Sequence, residues 1–254
     1  NIKGEGVDTN LFFSDSPFQP YPTDYLYMTT STDGLTWSEP KLLNLKEASE
    51  QTLLIGPGNG TYDAVNDRMI FTGYEHTSGY ERTSLIWMDS EGNWYRSEDA
   101  TYNNSNKSSE ATSVVLEDGT VRVFYRDYSS VLNYSDYVWS EEENNYVVSQ
   151  TEVSTTASKR QNNQLTSILY SEKIEGKEVI LVSCAANPND RRDGHLYVFL
   201  VNEDKTMDLA YDYDIIPDED EAYAYNCLTE LNDGNLGLLY ESASSQITYI
   251  VIDM

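Results

Sequence analysis

Residues 114–124 read VVLEDGTVRVF, two runs rich in β-branched and apolar residues on either side of an Asp-Gly pair. Residues 228–240 read LTELNDGNLGLLY and repeat the order strand, Asp-Gly, strand. An Asp-Gly pair between two such runs is the turn chemistry of a β-hairpin. Two copies of one hairpin, far apart in the chain, predict an all-β fold built from repeated antiparallel units.

Strand-like runs continue this pattern along the chain. They are short and rich in β-branched or aromatic residues: Asp24–Thr30, Arg68–Tyr74, Ser84–Met88, Ser113–Leu116, Val121–Tyr125, Gln164–Tyr170, Val179–Ser183, His195–Val201, Ala224–Leu231, Leu236–Tyr240 and Gln246–Ile252. Repeated four-stranded units are typical of a β-propeller, and at roughly 40 to 60 residues per blade the chain holds about four blades. A sandwich or a barrel stays open on these residues alone.

Composition limits the partners. The 254 residues carry 43 acidic and 16 basic side chains, a formal charge of −27. Nucleic acid and anionic membrane surfaces are disfavoured, because binding to either needs a basic face. The hydrophobic fraction of 39%, with 21 Tyr, is enough for a packed core. The longest apolar runs, such as Val179–Ala186, are far shorter than the ~20 residues of a membrane span, so none is expected.

Residues 31–37 read STDGLTW, a further turn signal. Asp33 can accept bonds from the amides of its own turn, Gly34 can take a positive φ, and Trp37 is expected to pack under the hairpin. The stretch resembles the aspartate box of bacterial sialidases, with one residue fewer between the Asp and the Gly. Degenerate copies lie at residues 89–94 and 140–146. The box recurs in many propellers as a folding device, so it does not assign a function.

Four further segments resemble the sialidase family in the family's own order: Ser109–Thr112, Phe124–Arg126, Asn187–Gly194 and Ala224–Glu241. The last carries the long pattern YxCLTxLxxGxxGLLYE. The chain is therefore similar to bacterial exo-sialidases, glycoside hydrolases with a six-bladed β-propeller, and most similar to large secreted sialidases of Gram-positive bacteria. The resemblance implies one partial propeller domain over residues 1–254, with residues 1–23 as a lead-in segment and 24–254 as the last four blades.

The resemblance also implies five site residues. Tyr225 matches the nucleophile and Glu110 its general base. Arg126 and Arg191 match two members of an arginine triad that binds the substrate carboxylate, and Glu241 matches the Glu that orients the third. A phenol activated by a carboxylate can deliver its oxygen to a carbon that bears a carboxylate without a full negative charge. Arginine forks bind carboxylates bidentately.

Two departures from the family limit the match. The first triad Arg, in an Arg-Ile-Pro segment, and the acid/base Asp are not recognisable, and residues 1–23 contain no Arg. An N-terminal polypeptide is therefore expected to complete the propeller and supply both groups. Asn59 stands in the loop 56–60 where related sialidases carry Arg. Arg192 competes with Arg191, and the spacing to Gly194 and Tyr225 favours Arg191.

The sequence thus predicts a portion of a sialidase that removes terminal sialic acid from glycans or glycoproteins. It would be a retaining hydrolase or an intramolecular trans-sialidase, incomplete as this chain alone. The alternatives are a non-catalytic sialic-acid-binding propeller and a structural propeller fragment without a ligand. The resemblance implies a secreted or bacterial cell-surface location, with the signal peptide outside this chain.

No cofactor and no metal are expected. His76 and His195 have no Cys or His partner at metal-ligand spacing, and both are interpreted as ordinary polar residues. The acidic run Asp218–Glu221 lacks the register of a calcium loop and is interpreted as solvated. Cys184 and Cys227 lie in strand-like runs where a thiol behaves as a small hydrophobe, and sequence leaves a disulfide between them open.

Overall fold

The computed structural model of the chain describes residues 26–47, 50, 52–77, 80–99, 108–216, 221–243 and 246–254. Within these ranges the protein is all-β and contains no helix. The strands are β1 (Leu26–Met28), β2 (Lys41–Leu43), β3 (Thr52–Ile55), β4 (Thr61–Asp63), β5 (Arg68–Thr77), β6 (Tyr80–Met88), β7 (Trp94–Asp99), β8 (Ser109–Val115), β9 (Val121–Arg126), β10 (Val131–Ser140), β11 (Asn145–Ser158), β12 (Leu165–Ile174), β13 (Lys177–Ala185), β14 (Gly194–Val201), β15 (Met207–Asp214), β16 (Asn226–Glu230), β17 (Leu236–Ala243) and β18 (Gln246–Ile252).

Four antiparallel sheets follow one another along the chain and confirm the propeller. Blade 1 has the order β3-β5-β6-β7 with β4 paired to β5, and blade 2 contains β8 to β11. Blade 3 contains β12 to β15, and blade 4 contains β16 to β18. The strands β1 and β2 form a separate small sheet. The four-bladed arrangement matches the prediction; the lead-in segment 1–23 and residues 218–220 lie outside the described residues.

Apolar side chains fill the space between neighbouring blades. The cluster between blades 2 and 3 includes Phe124 and Leu132 from one sheet and Leu165 and Val182 from the next. Similar clusters join blade 1 to blade 2 and blade 3 to blade 4. Each fully buried aliphatic or aromatic side chain contributes about 1.5–3 kcal/mol, so contacts between blades are a main source of stability.

A buried ion pair lies inside blade 2. Arg122 and Asp136 face each other across β9 and β10, and the guanidinium donates two hydrogen bonds of 2.8 Å to the carboxylate. A third bond of 2.6 Å runs to the backbone oxygen of Lys205, and the guanidinium carbon lies 4.0 Å from the centre of the Tyr134 ring. Arg122 is fully buried, so this arginine serves the fold.

The predicted Asp-Gly turns are present. Asp118 accepts a bond of 2.9 Å from the amide of Thr120, and Gly119 has a φ of 84°. In the aspartate box, Asp33 accepts amide bonds at 2.7 and 2.8 Å, which lower its pKa to about 2. The prediction for Trp37 was wrong: the side chain is 60% exposed, and β1 and β2 form a separate two-stranded sheet.

Every predicted strand is present, with ends shifted by a few residues; of Asp24–Thr30, the described strand is Leu26–Met28. The structure adds β2, β3, β4, β7, β10, β11 and β15. Cys184 in β13 is buried, Cys227 in β16 is half-buried, and both are free thiols. Burial raises the pKa of Cys184 to about 12, as expected for an unreactive core thiol.

Candidate functional site

The candidate site lies where the first strands of successive blades begin. The strands β8, β12 and β16 are neighbours in space. Glu110 is the second residue of β8, Tyr225 directly precedes β16, and Arg126 ends β9, which pairs with β8. The propeller therefore brings three residues from distant parts of the sequence to one edge.

A β-bulge aims Glu110 at this edge. Ser109 pairs with Arg126 and Thr112 with Phe124, so β8 contains one extra residue between these two pairs. Glu110 lies in the bulge with a φ of 28°, in the left-handed region that side chains with a Cβ seldom adopt. Its two neighbours in the sequence, Ser109 and Ala111, are buried, whereas Glu110 is partly accessible. The backbone distortion thus turns the carboxylate out of the packed sheet.

Three of the predicted residues form one hydrogen-bonded group. The Tyr225 hydroxyl donates to Oε1 of Glu110, and Nη1 of Arg126 donates to Oε2 of the same carboxylate. Nη1 of Arg126 also lies 3.3 Å from the Tyr225 hydroxyl. The carboxylate therefore bridges the phenol and the guanidinium, and it is placed to accept the phenolic proton.

The environment keeps the Tyr225 phenol protonated. Burial raises its pKa to about 12, the hydrogen bond to Glu110 and the Glu110 charge act in the same direction, and the charges of Arg126 and Arg191 oppose them. Burial also raises the pKa of Tyr74, with further contributions from Glu110 and Tyr225, so Tyr74 lies within electrostatic reach of the site. Sequence reasoning missed Tyr74, since one tyrosine among 21 carries no signal.

Arg191 lies against the Tyr225 ring, and its neighbour in the sequence does not. The Arg191 guanidinium carbon is 5.4 Å from the ring centre, and the backbone oxygen of Arg191 accepts a bond of 2.6 Å from the amide of Tyr223. Arg192 instead places Nε 3.2 Å from Asp190. Of the two competing arginines, Arg191 is therefore the one beside Tyr225.

Glu241 reaches the site through its backbone. Its amide donates to the oxygen of Tyr225 at 2.9 Å, and its oxygen accepts from the amide of Ala224 at 3.2 Å. The side chain is exposed and pairs with no arginine within the described part of the chain. An orienting role for this carboxylate stays a prediction.

The loop 56–60 packs directly against the bulge. The amide of Gly56 donates to the oxygen of Thr72 at 2.8 Å. A Cβ added at Gly56 would lie 2.5 Å from the backbone oxygen of Ala111 and 2.6 Å from Oγ1 of Thr72. Asn59 is exposed in the same loop. The absence of a side chain at Gly56 thus lets the loop approach the residue that follows Glu110.

Gly56→Ala is expected to lower the free energy of unfolding by about 1–3 kcal/mol, because the added methyl group overlaps backbone atoms that cannot move aside independently. Urea unfolding of the variant and the wild type measures the difference. Asn59→Ala, an exposed change in the same loop, is the matched control and should leave the midpoint unchanged. Equal midpoints for Gly56→Ala and wild type would contradict the close approach.

A second titratable cluster lies at the edge of blade 3. Asp193, His195 and Asp214 each offer one ligand atom, and these atoms lie within 4.8 Å of one another. Sequence spacing missed this cluster, because the pairing of β14 with β15 creates it. Nδ1 of His195 lies 2.5 Å from Asp212 and Nε2 lies 3.2 Å from Asp193. Both ring nitrogens already face carboxylates, so the group is explained as an ion-pair network.

His195 should make stability depend on pH. Burial acts to lower the pKa of His195, but the bonds and charges of Asp212 and Asp193 outweigh it and hold the pKa above its ordinary value. A raised folded-state pKa stabilises the fold fully below the unfolded pKa of about 6.5, and this contribution is lost as the pH rises through the folded-state pKa. The contribution is at most about 1 kcal/mol, since both carboxylates are nearly half exposed.

We therefore expect His195→Gln to be less stable than wild type at about pH 5.5, with a difference that shrinks by about pH 9. Urea unfolding at the two pH values measures it. Asp212→Asn removes the carboxylate beside Nδ1 and should flatten the same dependence. A difference that grows with pH would show that the imidazole is bound as the neutral form.

Comparison with known proteins finds sialidases and intramolecular trans-sialidases. No family model matches the chain. It is 37% identical over 252 residues to Sialidase B of Streptococcus pneumoniae, across 95% of this chain and 34% of that protein. The intramolecular trans-sialidase of Ruminococcus gnavus, solved with oseltamivir carboxylate, superposes with a TM-score of 0.79 at 28% identity, covering 98% of this chain and 54% of that one.

A third relative has a similar structure. The leech intramolecular trans-sialidase, solved with 2,7-anhydro-Neu5Ac, gives a TM-score of 0.79 at 25% identity, covering 97% of this chain and 39% of that one. The chain spans about a third of the length of its curated relatives.

Proposed function

Because the chain belongs to the sialidase family, we propose that it is part of a catalytic domain that cleaves terminal sialic acid from glycans or glycoproteins. The observation that carries the proposal is the bonded group of Tyr225, Glu110 and Arg126. A merely binding surface has no need of a phenol hydrogen-bonded to a carboxylate, whereas a tyrosine nucleophile needs a base within hydrogen-bond reach.

Tyr225 attacks the anomeric carbon of the sialoside. The bond from its oxygen to that carbon forms as the bond to the leaving oxygen breaks, and Glu110 takes the phenolic proton. A pKa of about 12 means that the phenol is neutral before the attack, so it does not meet the substrate carboxylate as an anion. Water, or a hydroxyl of the bound sugar, then displaces the tyrosine: the aspartate of the N-terminal polypeptide takes the proton of the incoming oxygen and Glu110 returns its proton to the Tyr225 oxygen, giving hydrolysis or intramolecular transfer with retention.

Arg126 and Arg191 bind the substrate carboxylate in this proposal. Both lie beside Tyr225, and their forked donors fit a carboxylate and stay charged. A further polypeptide supplies the third arginine, which Glu241 orients, and the aspartate that protonates the leaving oxygen. The coverage of about a third of the curated relatives supports a larger complete enzyme.

We also propose a secreted or cell-surface location, as implied by the substrates. In the part of the chain that the structure describes, no helix is long and apolar enough to span a bilayer.

Release of the fluorophore from a fluorogenic sialoside tests the proposal. The chain is assayed alone and together with the N-terminal polypeptide that would complete the propeller, here called the upstream polypeptide, and we expect turnover at least in the second case. The alternative, a sialic-acid-binding propeller, predicts binding of oseltamivir carboxylate with no turnover in either case. Binding without turnover would contradict the proposed catalytic activity and support the sialic-acid-binding propeller.

A further inference from the structure

Arg126 has a second partner outside the proposed catalytic group. Its Nε donates a bond of 2.8 Å to Oδ1 of Asn162, while Nη1 donates to Glu110. These two bonds lie on different sides of the planar guanidinium and together fix its orientation. Nη2, which donates to no group among the described residues, is left to meet a ligand. Asn162 therefore determines where the remaining donors of Arg126 point.

The side-chain amide of Asn162 is neutral, so it does not reduce the positive charge that Arg126 offers to an anionic ligand. A second carboxylate contact in addition to Glu110 would cancel more of the positive charge of Arg126, whereas an amide oxygen fixes the orientation of the guanidinium and leaves its charge uncancelled. The chain carries a net charge of −27, so a local positive site requires that side chains in contact with its arginines be neutral where they can be.

The backbone of Asn162 is also held in place. It has a φ of 53°, a conformation that Asn tolerates better than most residues, and its backbone N–H donates to the backbone oxygen of Asp127 at 2.6 Å. Three residues earlier, the buried Lys159 places Nζ 2.6 Å from the buried carboxylate of Asp127. The connection between β11 and β12 is thus anchored where it meets Arg126.

The other end of this connection holds the strand that follows Tyr225. The buried side chain of Gln164 accepts from the amide of Asn226 at 2.9 Å and donates to the oxygen of Asn226 at 3.0 Å. The short segment 159–164 therefore fixes both the Arg126 guanidinium and the start of β16, the strand that follows Tyr225. Such fixed supports are what place a binding group accurately.

We propose that Asn162 is a positioning residue that fixes the Arg126 guanidinium in the orientation that binds a ligand carboxylate. The inference rests on the proposed function, which assigns a carboxylate to Arg126. It adds a residue that binds no ligand and acts through the arginine.

The test compares two ligands that differ in one charge: oseltamivir carboxylate and its neutral ethyl ester, oseltamivir. Calorimetric titration of the chain together with the upstream polypeptide gives the ratio of their affinities. We expect Asn162→Gly, which suits the backbone, to lower this ratio roughly tenfold, the order of one hydrogen bond to a charged group. Asn162→Asp keeps an acceptor but adds a charge that competes for Arg126, and it should also lower the ratio.

Asn144→Gly is the matched control, because Asn144 is exposed and has a similar φ of 47°. It should leave the ratio unchanged, and thermal unfolding should show all variants folded. A wild-type preference for the carboxylate that survives in Asn162→Gly, or an equal loss for both ligands, overturns this inference alone. A wild type with no such preference overturns the carboxylate site of the proposed function and the inference with it.

Discussion

Tyr225→Phe is expected to lower turnover of a fluorogenic sialoside by at least about a thousandfold, because the variant has no oxygen to form the bond to the anomeric carbon. Affinity for oseltamivir carboxylate should stay within about twofold, since the phenol acts on the reacting carbon and not on the carboxylate. Fluorophore release and calorimetric titration measure the two quantities, both in the presence of the upstream polypeptide.

Tyr213→Phe is the matched control, because Tyr213 is half exposed on β15, the outer strand of blade 3. It should retain full turnover. Glu110→Gln keeps a hydrogen-bond acceptor for the phenol but removes the base, so it should also lose turnover. Full activity of Tyr225→Phe would be incompatible with a tyrosine nucleophile.

The largest expected change in stability comes from Arg122→Met. The substitution leaves Asp136, which is 2% exposed, as an unpaired charge inside blade 2. Breaking one side of a buried ion pair costs about 3–5 kcal/mol of unfolding free energy. Equilibrium unfolding in urea, monitored by tryptophan fluorescence, measures the loss.

Two variants separate charge burial from lost packing. The double variant Arg122→Met with Asp136→Leu should recover most of the loss, since no charge is then left unpaired. Lys173→Met breaks the exposed pair with Glu117 and should cost less than about 1 kcal/mol. If Arg122→Met costs no more than Lys173→Met, the buried pair does not stabilise the blade.

Most strands with an apolar run were predictable, and the outer strands β7, β11 and β15 were not; the buried β3 and β10 were also missed, and the outer strand β18 was found. A buried strand such as β13 has a continuous apolar run that sequence reveals directly. Almost all residues of the outer strands β11 and β15 are exposed or half-buried, so Ser, Thr, Asp and Glu can stand along them in contact with water and no regular apolar alternation remains. Their backbone pairing with β10 and β14 makes them strands, and such pairing leaves little trace in the residues themselves.

The site divides in the same way. Tyr225, Glu110 and Arg126 were identified by resemblance, and the structure brings these three together. Asn162 was missed because its only relevant property is a position in space, opposite an arginine far away in the sequence. The bulge at Glu110 was equally hidden, since neither of its neighbours is a glycine or a proline that would signal an irregular strand.

The bulge has a consequence for how this chain responds to selection. Glu110 holds a left-handed backbone conformation that is less strained for glycine, so the backbone is strained at the residue that carries this carboxylate. Glycine there would relieve this strain but remove the carboxylate that bonds Tyr225 and Arg126, so such a variant would lack the base of the proposed function. Any engineering of this scaffold therefore needs an activity readout at every round, because stability and chemistry compete at one residue.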